Sequence, residues 1–160
     1  MKLSLEEQLV NKLIEKNWHI SCAESCTGGM LAARIVNVSN ASRVLDISFV
    51  TYANEAKIKY LTVSGDTITA YGVVSEEVVS EMAFGVAKEA GSEVGIGISG
   101  IAGPSGGTTK KPVGMVCFGF YINGTVTTKT MYFGDIGRNE VRNLSTSYAL
   151  QTALQLLQET

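Results

Sequence analysis

Histidine occurs once in this chain of 160 residues, cysteine three times without a CxxC pair, and charge of neither sign dominates. The lone His19 excludes a multi-histidine metal site and leaves a Ser-His-Asp triad dependent on a single residue. It stands ahead of Ser25 in a segment whose extended chain would carry it away from that serine, so it reads as structural. Cys22, Cys26 and Cys117 are odd in number, which excludes a complete disulfide framework and gives no thiolate metal set. Free, mostly buried thiols are expected. The 13 Lys and Arg against 15 Asp and Glu leave a net charge of −2, without the basic field that drives binding to nucleic acid. Nucleic acid is therefore not an expected partner. No apolar run approaches the ~20 residues of a membrane span, and MKLSLEEQLVNKL carries too many charges for a secretory leader. The expectation is a cytoplasmic protein with no membrane partner. Walker A is missing, and GIGISG, which has G-x-G-x-x-G spacing, lies within a strand pattern with no helix after it. Its glycines read as places where backbone or ligand approaches closely.

What is present is an ordinary globular balance, 45% hydrophobic and 18% charged, in a length suited to one domain over residues 1–160. Ser4 and Glu7 form an S-x-x-E capping box ahead of apolar residues at helical spacing. HISCA then predicts a strand, ESCTGG a tight loop, and MLAARIV a helix. RVLDISFVTYA predicts a buried strand, after which Asn54 is placed to cap a helix over EAKIKYL. TVSGDTITAYGVVS predicts a turn-rich connection, and Ser75 caps the helix EEVVSEMAFGVAKEA. SEVGIGISG predicts a strand that runs into the glycine-rich loop IAGPSGGTTKKPVG. Asn123-Gly124 between two strand patterns predicts a type I′ hairpin, and a long helix closes the chain. This order predicts an α/β fold, a mixed sheet with a C-terminal β-hairpin and helices on both faces. Both glycine-rich loops, 24–29 and 100–114, follow strands, where ligands of open α/β sheets bind.

The first of those loops offers three nucleophile candidates in a row, Ser25, Cys26 and Thr27. Its alternative reading is only a helix start, with Thr27 as cap. Local chemistry leaves these open. Paired Gly28 and Gly29 beside a helix N-terminus present backbone N–H groups suited to an oxyanion or phosphate. If a serine acts, a desolvated lysine is the base that the composition favours. TYANEAK places Tyr52, Asn54 and Lys57 where a strand passes into a helix, with a solvated Lys57 as the plainer alternative. Arg138 and Arg142, four apart, share a helix face and suit a phosphate.

Taken together, AESCTGG, FVTYANEAK, GVVSEE, GISGIAGPSGGTTKKPVG and RNEVR…YAL closely resemble the CinA C-terminal domain family, the nicotinamide-nucleotide amidases, over about residues 5 to 155. The resemblance implies a three-layer α/β/α sandwich. It also implies hydrolysis of the carboxamide of nicotinamide mononucleotide to nicotinate mononucleotide and ammonia, in pyridine-nucleotide recycling. It places the family's serine nucleophile on Ser25 and its tyrosine and lysine partners on Tyr52 and Lys57. Around them, Glu24, Thr27, Gly28, Gly29, Asn54, Gly100, Gly103, Thr108, Arg138 and Arg142 form the expected substrate-binding set, with Glu24 facing the pyridinium and Thr108 closing over the ribose. No cofactor or metal is implied. A chain without the longer members' N-terminal domain reads as the stand-alone form, and a homo-oligomer, dimer or larger, is expected. The alternatives are a non-catalytic mononucleotide-binding module and an amidase for another small amide.

Overall fold

A computed structural model describes residues 1–160. Ser4 opens α1 (Leu5–Lys16) through the reciprocal box, its hydroxyl accepting the Glu7 N–H while Glu7 accepts the Ser4 N–H. The chain continues through β1 (Ile20–Glu24), α2 (Met30–Val36), β2 (Phe49–Val50), α3 (Asn54–Leu61), α4 (Gly65–Tyr71) and α5 (Glu76–Ala90). It ends with β3 (Val94–Gly100), β4 (Met115–Ile122), β5 (Thr125–Tyr132) and α6 (Arg138–Gln158). The sheet has the order β2-β1-β3-β4-β5. β1 runs parallel to β2 and β3, and β4 is antiparallel to β3 and β5.

Strand alternation divides the apolar residues between two cores. Ile20, Cys22, Ile96, Ile98, Phe118 and Phe120 face a 23-residue cluster shared with α1, α2 and α6. Ala23, Met115 and Cys117 face the other way, toward Leu61 of α3 and Val78, Val79, Met82 and Val86 of α5. The result is the expected three-layer α/β/α sandwich with a mixed sheet and C-terminal hairpin. The hairpin turns on Asn123 and Gly124, both at positive φ. No helix is long and apolar enough to cross a membrane.

The glycines of β3 and β4 let α5 lie directly on the sheet. A Cβ on Gly97 would stand 2.8 Å from the Val79 carbonyl oxygen, and one on Gly119 would overlap that same carbonyl. Backbone meets backbone there, so no rotamer change relieves the overlap. Gly119→Ala is expected to cost roughly 2–3 kcal/mol through overpacking. Calorimetry should then show a melting temperature lower by roughly 5–10 °C.

Three local expectations are corrected. The strand predicted across RVLDISFVTYA shrinks to Phe49–Val50, because β2 is an edge strand paired only with the end of β1. TVSGDTITAYGVVS contains a helix, α4, whose intrinsic propensity is poor. Tertiary contacts hold it, with Ile68 packed on the α5 core and the Ser64 N–H bonded to Glu81. Asn54 does not cap α3: it is the first helical residue, and Ala53 occupies the cap position.

Candidate active site

Three segments meet at the C-terminal end of β1. The ladder pairs Ala23 with Phe49 and Glu24 with Val50, the second pair closed by the bond from the Thr51 N–H to the Glu24 carbonyl at 3.0 Å. On the other side, the Ser25 N–H donates to the Ile98 carbonyl of β3. Ser25 is thereby fixed between β2 and β3, buried to 9% exposure.

α3 brings Lys57 to this point, fully buried. Its Nζ lies 2.7 Å from the Thr51 carbonyl, 3.2 Å from the Tyr52 carbonyl and 3.2 Å from Ser25 Oγ. Removal from water pulls this amine down from 10.5 to about 8, outweighing an opposing effect from Cys26. A neutral amine has two N–H bonds and one lone pair. The two carbonyls take the N–H bonds, which leaves the lone pair for the hydroxyl of Ser25.

The neighbouring candidates are otherwise engaged. Burial pushes the Cys26 thiol up to about 11, so it is not a thiolate near neutral pH. The Thr27 hydroxyl donates to Glu24 Oε1 at 2.6 Å. Glu24 itself is corrected from a substrate contact to a helix cap. It is fully buried, and its carboxylate accepts the Leu31 and Ala32 N–H groups, the second and third of α2. Gly29 holds the cap position at positive φ and supplies no side chain, so the carboxylate arrives from the strand instead. Thr27, whose alternative reading is the helix cap, braces that carboxylate through its hydroxyl.

Of the loop's N–H groups, Gly28 donates to the Ser25 carbonyl, which removes it from the expected oxyanion donors. Those of Cys26, Thr27 and Gly29 donate to no protein acceptor. Arg142 supports the loop from outside: Nε donates to the Cys26 carbonyl at 2.8 Å, and Nη2 to that of Thr27 at 3.3 Å. With Nη1 on Asn139, Arg142 is a brace rather than the free partner of a phosphate clamp. Arg138 remains exposed, donating to the Gly103 carbonyl and to the Tyr52 hydroxyl. Tyr52, 61% exposed, thus meets Arg138 through its hydroxyl. Only the Tyr52 backbone reaches Lys57, so the hydrogen-bonded path from amine to serine is direct.

Gly100 closes β3 against Val116. Asn54 is exposed. Thr108 is exposed in a turn closed by Lys111 and lines a cavity of about 830 Å³ with Ser105, Tyr132 and Asp135. Ser25, Lys57 and Arg138 do not line that cavity. His19 sits at the far end of β1, its Nδ1 2.8 Å from Asp46, in the structural role expected of it. Sequence reasoning missed Thr51, whose contribution to Lys57 is a backbone carbonyl and leaves no signal in residue type.

The arrangement defines an α/β/α protein with a buried serine–lysine pair at the strand ends. The chain belongs to the CinA C-terminal domain family, whose model matches residues 2–157. It is 49% identical over 147 residues to a CinA-like protein of Kosmotoga olearia and 48% identical over 144 residues to one of Dictyoglomus turgidum. Those matches cover 92% and 89% of this chain but 35% and 34% of the relatives. The chain thus spans about a third of the length of the curated relatives it matches. Among solved structures, a competence-damaged protein (CinA) superfamily protein from Klebsiella pneumoniae is similar at TM-score 0.93 and 33% identity, covering 98% of this chain and 97% of that one. The competence/damage inducible protein CihA from Agrobacterium tumefaciens gives 0.89 at 37% identity, covering 99% of each.

Proposed function

We propose that residues 1–160 form one amidase domain that hydrolyses nicotinamide mononucleotide to nicotinate mononucleotide and ammonia, with Ser25 as nucleophile. The observation that carries the reading is the 3.2 Å contact between Lys57 Nζ and Ser25 Oγ, made by a fully buried amine. Lys57 takes the Ser25 proton as Oγ bonds to the carboxamide carbon. It returns that proton to the leaving nitrogen, the C–N bond breaks, and ammonia departs, leaving an ester on Ser25. Water then hydrolyses the ester. The substrate's pyridinium withdraws electrons from the carboxamide and makes it a better electrophile.

The free N–H groups of Cys26, Thr27 and Gly29 are the available donors for the tetrahedral oxyanion, worth roughly 3 kcal/mol for each well-placed one. The exposed Arg138 is the cation for the substrate phosphate, with the Tyr52 hydroxyl beside it. Arg142 acts indirectly, by holding the loop that carries the serine.

The test is ammonia release by purified protein. Ser25→Ala is expected to lower turnover of nicotinamide mononucleotide by at least about 10³-fold, with Cys26→Ala near wild type. The mononucleotide should exceed the riboside and free nicotinamide in kcat/KM. Full turnover by Ser25→Ala would remove the serine from the mechanism.

A further inference from the structure

Lys110 and Lys111 stand side by side in the glycine-rich loop and have different fates. Lys110 is exposed and belongs to no ion pair. Lys111 is half-buried, and its Nζ donates to the carbonyl of Tyr71, the last residue of α4. Carbonyls at a helix end lack partners within the helix, and a lysine side chain can supply one. Glu76 and Glu77 line the same cavity of about 350 Å³ as Lys111, yet the amine pairs with neither. Its route to the carbonyl passes Gly72, where a Cβ would stand 2.8 Å from Nζ.

The backbone of Lys111 is tied as well. Its N–H donates to Thr108 Oγ1 at 3.0 Å, and its carbonyl accepts the Thr108 N–H at 2.8 Å. The two residues that follow it, Pro112 and Val113, are the floor on which the rest of the loop lies. A Cβ on Gly107 would stand 2.7 Å from the Val113 nitrogen, and one on Gly103 would stand 2.5 Å from Val113 Cγ1. Gly103 is also the residue whose carbonyl accepts from Arg138 Nη1 at 2.8 Å, while Nη2 donates to the Tyr52 hydroxyl at 3.0 Å. Contacts thus run unbroken from α4 through Lys111, Val113 and Gly103 to Arg138. One cationic side chain clasps each end of the loop.

We infer that Lys111 is a positioning residue for Arg138 and, through it, for the phosphate of the substrate; this rests on the reading of Arg138 as the phosphate's cation. A guanidinium meets a phosphate through a rigid fork of N–H donors, so its direction matters as much as its charge. Arg138 is exposed at the start of α6, and the two oxygens that it donates to set its direction. Tyr52 is itself exposed, whereas Gly103 is buried against Val113. Gly103 is therefore the firmer of the two anchors. Releasing Lys111 from Tyr71 loosens the segment on which Gly103 rests. Lys111 makes and breaks no bond of the reaction, so its loss falls on phosphate binding and not on the carboxamide chemistry at Ser25.

The experiment measures ammonia release from nicotinamide mononucleotide and from its riboside, which lacks the phosphate. Lys111→Met is expected to raise KM for the mononucleotide about 10-fold, the low end of what a charge-assisted hydrogen bond supplies. Its kcat for the mononucleotide and its kcat/KM for the riboside should match wild type. Lys111→Arg keeps a donor for the Tyr71 carbonyl and should restore the KM. Lys110→Met removes the same charge without the clasp and should leave KM unchanged. In an Arg138→Met background, Lys111→Met should add nothing further. An unmoved mononucleotide KM in Lys111→Met, with ammonia still released by the wild type, overturns this inference alone. An equal loss with the riboside overturns it by making the loop a general support, and an equal effect of Lys110→Met does so by leaving only the charge. Absence of ammonia release from the mononucleotide by the wild type removes the substrate reading and this inference with it.

Discussion

Replacing Lys57 with methionine is expected to lower amide turnover by at least about 10³-fold, near the upper end of what one general base supplies, while the protein still folds. Methionine matches the unbranched stem that fills the space under α3 but carries neither proton nor lone pair. The pH dependence follows from the same group. Wild-type kcat/KM should rise tenfold per pH unit below about 8 and level off above it, as Lys57 loses its proton. Lys57→Met should lose that limb.

Stability carries the matching signature. The folded-state value is lowered from 10.5 to about 8, so below pH 8 both folded and unfolded chains hold the proton and the burial cost stands in full. As pH rises from 8 to 10.5 the folded protein gives up the proton first, and stability increases by roughly 3 kcal/mol. The gain is complete above 10.5 and is lost as pH falls through 8. Urea unfolding across this window should show the rise in wild type and none from this group in Lys57→Met.

Glu24→Gln is expected to damage the fold rather than substrate affinity. The carboxylate accepts from the Leu31 N–H, the Ala32 N–H and the Thr27 hydroxyl. A glutamine has one acceptor oxygen in place of two and turns an NH2 toward one of those donors. Leaving a buried N–H unpaired and losing charge-assisted bonds together cost roughly 2–4 kcal/mol. The melting temperature should fall by roughly 5–15 °C, with turnover reduced because the loop holding Ser25 loosens. Had Glu24 met the substrate's cation, the same change would raise KM in a protein of unaltered stability.

Glu24 also shows where sequence reading reached its limit. It stands next to Ser25, and adjacency invites a shared site. In an extended chain, though, consecutive side chains point to opposite faces, and here they do: Ser25 to Lys57, Glu24 to the start of α2. Applied strictly, the alternation would have separated them. The arginines pose the converse problem. Four-residue spacing correctly puts Arg138 and Arg142 on one helix face, yet one turn of helix is enough to send Arg142 to the carbonyls of residues 26 and 27 and Arg138 to Tyr52 and Gly103.

The capping box at Ser4, the cap at Ser75 and the Asn123-Gly124 turn were legible because each is a contract between residues a few positions apart. α4 was not, since its helicity depends on contacts with α5. The depth of Lys57 was not legible either. A lysine in the second turn of a polar helix reads as solvated, and only the edge strand, the loop before α3 and the end of β1 closing over it remove it from water.

The most direct measurement is rapid-quench mass spectrometry of the protein mixed with nicotinamide mononucleotide, following the Ser25 peptide. The expected result is a transient ester on Ser25 with the mass of the substrate less ammonia, formed as fast as ammonia appears and missing in Lys57→Met. Ammonia release at full rate with Ser25 never modified, or undiminished in Ser25→Ala, would contradict the serine–lysine mechanism.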